Sequence, residues 1–310
     1  MPHSPNRRSP AAVPSFERPA HGRARAGATL CRALALGLGA SLLSACGHAP
    51  KDAARDAEPY PPLLVAGADL GAPILGRIAA AIRFRKGYLA DQPDARAYLL
   101  KRLRPLDLVL VRSRGKATHH IIPSEFAHVA VYLGSEAELS RAGVWRHPDV
   151  QPHARDIRDG AVFIEADVKN VHLSKPERIF DTDRVVVLRP RVRSAAERRT
   201  LLAAFYETIG TRFDYHFNAE ESETLFCAEL ANHVLDNQGI PLRRAYGRTT
   251  IRPDDMIAEV LAGRSRLTFV AYVVGTPTGW RAGDRGDLAA DMEAARTPAR
   301  RGAQARETCS

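Results

Sequence analysis

Cysteine is scarce in this chain, with four among 310 residues. Cys31 and Cys46 lie near the N-terminus and Cys309 next to the C-terminus, so Cys227 alone falls inside a foldable stretch and no disulfide framework can be built. Aromatic residues make up only 6%, and no Lys/Arg run is interleaved with them, which argues against nucleic acid as a partner. No Gly-rich loop follows a strand pattern, so a phosphate cradle is not expected. H-E-x-x-H and C-x-x-C spacings are missing as well, and His119, His120, His147 and His153 read as solvated loop histidines; no metal and no cofactor are expected. The apolar run Ala33–Leu43 is too short to span a bilayer, which takes about 20 residues. There is no internal repeat.

What is present is ordinary for a soluble, enzyme-sized fold: 45% hydrophobic, 26% charged, mean hydropathy −0.25. The net charge of +10 is uneven, since residues 1–45 hold six arginines and one acid, Glu17. A basic segment, then an apolar run, then Leu43-Ser44-Ala45-Cys46, reads as a secretory signal over 1–45. The tetrapeptide resembles the bacterial lipoprotein signal, which makes Cys46 the expected lipidated N-terminus and membrane lipid an expected partner. Residues 46–62, rich in Pro, Ala and mixed charge, read as a tether. Gly47 in place of Asp after the cysteine resembles the outer-membrane sorting pattern, so an exported protein anchored at the outer membrane and facing the periplasm is expected.

A folded domain is expected over 63–280. Its first part, 63–104, has helical periodicity, with Leu70, Ile74, Leu75, Ile78 and Ile82 on one face. Short β-branched runs at 106–112, 127–133, 161–166 and 184–188 read as strands, with a last one at 267–275. Ser194 and Glu197 suggest a capping box opening a helix. A second helix is expected from Phe226 to Gln238 and a third from Pro253. The order implies an α+β fold with an antiparallel sheet or small barrel and helices packed against it. Residues 281–310 show weak periodicity and read as a mobile C-terminal tail.

Three residues stand out. Cys227 falls in the first turn of its helix, where unpaired N–H groups and the helix dipole stabilise a thiolate; the alternative is a small buried hydrophobe. His128 opens the strand Ala127–Leu133, and alternation places it on one face with Ala130 and Tyr132. Glu165 ends the apolar run Val162-Phe163-Ile164. A thiol, an imidazole to take its proton and a carboxylate to orient the imidazole make up an acyl-transfer site. Tyr215, His216 and Ser124 are further candidates for contacting substrate.

Pro105-Leu106-Asp107-Leu108-Val109-Leu110, Ser124-Glu125-Phe126-Ala127-His128-Val129-Ala130-Val131-Tyr132-Leu133-Gly134, Phe163-Ile164-Glu165-Ala166, Phe213-Asp214-Tyr215-His216-Phe217 and Leu225-Phe226-Cys227-Ala228-Glu229-Leu230 resemble the permuted papain-like amidases of the NlpC superfamily, the YiiX type. The resemblance covers about Leu103 to Gly275. It implies a circularly permuted papain-like fold in which histidine and acid precede the cysteine, with Cys227, His128 and Glu165 catalytic. Ala228 stands where that family is expected to have serine. The function implied is a cysteine hydrolase of amide bonds, with peptidoglycan peptide or a related envelope substrate. Two other readings stay open: a lipid acyltransferase or lipase using the same residues on an acyl-lipid substrate, and a non-catalytic envelope binding module.

Overall fold

The computed structural model describes residues 62–118, 124–221, 223–245 and 248–296, with side chains from Gly71 onward. The leader, Cys46 and its tether, Cys31, His119, His120 and Cys309 lie outside the described residues. No described helix is long and apolar enough to cross a membrane.

Among the described residues the centre is a seven-stranded sheet in the order β11-β10-β5-β1-β2-β3-β4. These strands are β1 (Leu108–Arg112), β2 (His128–Tyr132), β3 (Phe163–Asp167), β4 (Asn170–Ser174), β5 (Arg184–Arg189), β10 (Thr268–Thr276) and β11 (Gly279–Gly283), and two small ribbons pair β6 (Arg212–Phe213) with β7 (Thr224–Leu225) and β8 (Arg243–Ala245) with β9 (Arg248–Thr250). Every neighbouring pair in the seven-stranded sheet is antiparallel. Of the two expected forms this is a sheet, open at β11 and β4.

Central strands are apolar on both faces because both are covered. Leu108, Leu110, Val129, Val131, Ile164 and Val186 join one core cluster, and Val109, Val111, Ala130, Tyr132, Phe163 and Val185 join the other. The period-2 alternation is therefore real, but it separates two cores rather than core from water. On the first side lie α6 (Ala195–Glu207), α7 (Cys227–Val234), α8 (Pro253–Leu261) and α9 (Arg285–Arg296), and the short helices α4 (Ala154–Arg158) and α5 (Pro176–Ile179) precede them in the chain. On the second, α2 (Pro93–Leu100) contributes Ala95 and Leu99.

Caps set several boundaries. Ser194 Oγ accepts the Glu197 N–H at 3.0 Å, but the Glu197 carboxylate takes the Arg193 N–H, so only half of the expected box forms. A complete box opens α3 (Glu136–Ala142), between Ser135 and Glu138, and Gly143 closes that helix at φ 75°. The cysteine helix stops at Val234, short of the expected Gln238; a 3₁₀ turn over Asp236–Gln238 follows, ended by Gly239 at φ 70°. His153 is not a plain solvated loop residue, since it ends a 3₁₀ turn and stacks on Tyr206 at 6.1 Å.

Two segments depart from the sequence pattern. Residues 281–296, expected within a mobile tail, are strand and helix: Leu288 and Met292 of α9 are buried, and Tyr272 donates to Asp291 at 2.6 Å. Two apolar anchors among Arg, Ala and Asp are too few to register as periodicity, yet they suffice once they join the core that holds Val260 and Tyr272 and Arg285 donates to the Val260 and Leu261 carbonyls at the end of α8. The other is α1 (Pro62–Ala81), whose large apolar residues Ile74, Leu75 and Ile78 face outward while Ala79 is buried. Gly76 lies against Tyr215, where a Cβ would meet the ring at 2.9 Å. Small residues permit that close approach, so they and not the large ones face the body.

Candidate active site

Helix α7 packs on β2 and β3. Cys227 is its first residue, preceded by Phe226 in extended backbone. It is a free cysteine, 8% exposed, with Leu230, Ala231 and Val234 buried behind it. Glu229 in the same turn accepts the Phe226 N–H at 3.3 Å. Burial pushes its carboxyl up to about 8, leaving it largely neutral at pH 7, so it does not cancel the positive field of the helix N-terminus at the sulfur. Ala228, where serine was expected, is wholly buried among apolar neighbours. A hydroxyl there would need a partner, and alanine needs none.

Register brings the other two residues together. Glu165 pairs with Ala130, two residues from His128 and on the same face, so the carboxylate and the imidazole are diagonal neighbours. Nε2 of His128 lies 2.6 Å from Oε2 of Glu165. Cys227 lies close enough to the ring to act on it electrostatically. Ala130 points into the cluster opposite the one that holds Cys227; His128, at the start of its strand, reaches both sides.

The electrostatics are those of an imidazole braced by an acid. Burial works against the imidazolium, but the charges and hydrogen bonds of Cys227 and Glu165 outweigh it and raise His128 to about 10. Burial likewise disfavours the Glu165 carboxylate, yet His128, Arg178 and Ser174 hold it well below the usual carboxylate range. Its second oxygen accepts from Ser174 Oγ at 2.5 Å and from Arg178 Nε at 2.6 Å. Arg178 also pairs with Asp167. Lys116, from the loop after β1, is lowered by burial while the charges of Asp181 and Glu165 act to raise it.

Ser174, Arg178 and Lys116 were missed in the sequence. Ser174 had a signal: Asp167-Val168-Lys169-Asn170 is a turn, and folding the chain back there sets Glu165 beside His172 and Ser174 on β4. The expected substrate contacts are placed as follows. Ser124 donates to the Phe126 carbonyl at 2.7 Å, and the Asp254 carboxylate holds the N–H groups of Glu125 and Phe126 just ahead of β2. Tyr215 donates to the Val168 carbonyl at 3.2 Å and accepts from Arg77. His216 is half-buried, and its backbone is held by Asp214 and Arg248.

Among the described residues two groups carry metal-ligand side chains, Glu165 with Asp167 and His172, and Asp214 with His216 and Glu221. Their carboxylates already have partners: Glu165 the three above, Asp214 the N–H groups of His216 and Asn218.

The family model of the permuted papain-like amidases, YaeF/YiiX type, C92 family, matches residues 102–276. The chain belongs to this family. Cys227, His128 and Glu165 all fall inside the matched segment, in the order histidine, acid, cysteine. Searches of curated proteins and of solved structures return no match. A permuted papain-like amidase is a cysteine hydrolase of the amide-cleaving kind, and the large antiparallel sheet with packed helices is the α+β fold expected of it.

Proposed function

We propose that the protein is a membrane-anchored hydrolase of cell-envelope amide bonds, with peptidoglycan peptides as first substrate and Cys227, His128 and Glu165 as its catalytic residues. The observation that carries this reading is His128 set between Cys227, the first residue of α7, and Glu165, whose Oε2 lies 2.6 Å from the ring Nε2. The imidazole takes the thiol proton, and the sulfur attacks the amide carbonyl carbon. Backbone N–H groups in the first turn of α7 receive the oxyanion. As the C–N bond breaks, the imidazolium returns its proton to the departing amine, leaving a thioester on Cys227. Water, deprotonated by His128, attacks the thioester; the C–S bond breaks and the acid leaves. Glu165 keeps the ring oriented and stabilises its charged form. Leu43-Ser44-Ala45-Cys46 supports export and acylation at Cys46, at the outer membrane facing the periplasm.

Acyl transfer from lipid, or lipid hydrolysis, is the second reading, and the outward apolar row on α1 favours it. Incubating the protein with muropeptides and with phospholipids in parallel, and following products by mass spectrometry, tests both. Muropeptide cleavage that Cys227→Ala abolishes is the expected result. Deacylated lipid with intact muropeptides would transfer the assignment to the second reading.

A further inference from the structure

Helix α1 turns its large side chains to solvent. Ile74, Leu75, Ile78 and Ile82 are 66%, 62%, 52% and 42% exposed. At 100° per residue Ile74, Leu75 and Ile78 fill one quadrant of the helix and Ile82, the residue after its end, continues the row, while Gly76 and Ala79 occupy the inward side. The cations that follow the helix are matched by acids, Arg83 by Asp181, Arg85 by Asp183 and Lys86 by Asp91, so the surface there is apolar rather than strongly charged. An exposed apolar quadrant on a surface helix is the pattern of a helix that lies in a membrane interface. The helix begins sixteen residues after Cys46, a length that spans at most about 58 Å when extended. An acyl group at Cys46 therefore keeps α1 close to a bilayer. A second copy of the chain is a poorer fit, since four partly exposed side chains amount to a few hundred Å², well short of the roughly 800 Å² per partner that a stable dimer buries.

We infer that Ile74, Leu75, Ile78 and Ile82 dock α1 onto the surface of a phospholipid bilayer. The inference deepens the envelope reading and rests on it. The contact also involves the catalytic side of the molecule. Gly76 and Arg77 touch Tyr215, and ring contacts lead from Tyr215 to Phe213 at 5.0 Å, to Phe217 at 5.9 Å and to Phe226 at 5.4 Å. Phe226 is the residue before Cys227, so a bilayer that holds α1 fixes the site close to its headgroups.

The test uses the full chain with Cys46→Ser, which has no acyl anchor, and vesicles of phosphatidylethanolamine with a quarter phosphatidylglycerol. Brominated acyl chains should quench the indole introduced by Ile78→Trp beyond the quenching of Trp145 and Trp280 in the parent. Replacing Ile74, Leu75, Ile78 and Ile82 together by Gln should weaken vesicle binding roughly tenfold or more, with circular dichroism and Cys227 alkylation unchanged. No added quenching, or equal binding by the two chains, overturns the inference. So does a dimer in gel filtration that the Gln variant loses without any change on vesicles. Palmitate incorporation by the wild-type chain reads the anchor separately: label without quenching removes the docked helix and leaves the lipoprotein, and quenching without label does the reverse.

Discussion

Strand β2 and helix α1 carry equally clear hydrophobic patterns, yet one is buried and the other faces water. Val129 and Val131 are at most 1% exposed, whereas Ile74 and Leu75 exceed 60%. A strand inside the sheet has a neighbour on each side and a core on each face, so its apolar residues have nowhere else to go. A helix on the outside has one contact face, and close approach selects it: Gly76 against Tyr215 admits the body where a larger residue would not. Periodicity thus reveals that a stripe exists. It does not say what the stripe meets.

The largest effect that bears on this contrast should come from the buried site. Cys227→Ala and His128→Ala are each expected to lower kcat/KM for amide hydrolysis by about a thousandfold or more, because either change leaves no nucleophile or nothing to take its proton. Thermal midpoints should move little, and full activity in His128→Ala would exclude the triad. Next in size is the core itself. Ile164, wholly buried on β3, should cost roughly 2–5 kcal/mol when changed to Ala, read as a lower urea midpoint at unchanged slope.

Glu165→Gln is expected to fall between, lowering turnover about a hundredfold with the fold intact, since an amide still bonds the ring but cannot balance its charge. It should also change the response to alkali. His128 is raised from 6.5 to about 10, so the stability its charged form supplies is complete below pH 6.5 and lost as pH rises through about 10. In Glu165→Gln that loss should occur at lower pH, and in His128→Ala it should vanish. Urea melts between pH 6 and 10.5 would show this, and identical pH profiles in all three proteins would detach Glu165 from the imidazole.

Legibility followed the same divide. The central strands, the cysteine at a helix start and the histidine at a strand start all stood in local patterns, so their placement was readable. Glu165 was readable as a partner because it ends an apolar strand. What braces it was harder to read: Asn-Val-His-Leu-Ser on β4 alternates polar and apolar but holds only two apolar residues, too short a run to announce a strand by itself, and Arg178 reaches the site only because the hairpin folds back. Helix α9 was hidden because its anchors Leu288 and Met292 meet surfaces supplied by distant residues. The inward face of α1 was hidden for the same reason, since it depends on Tyr215, well over a hundred residues away.

The smallest expected effect is the sharpest check on the comparison. Ile78→Gln removes a large apolar side chain that is 52% exposed and lies beside Ile74 and Ile82 on the outer quadrant of α1. If that quadrant faces water, the change forfeits little burial and leaves a good helix former in place, so stability should stay within about 0.5 kcal/mol of wild type. Were the row instead packed against the body, the same change would place an amide in a core and cost about 1–3 kcal/mol. A urea titration of the single variant separates these outcomes. A loss at the upper end would mean that α1 obeys the same inward rule as β2 and that its apolar row has no surface to offer.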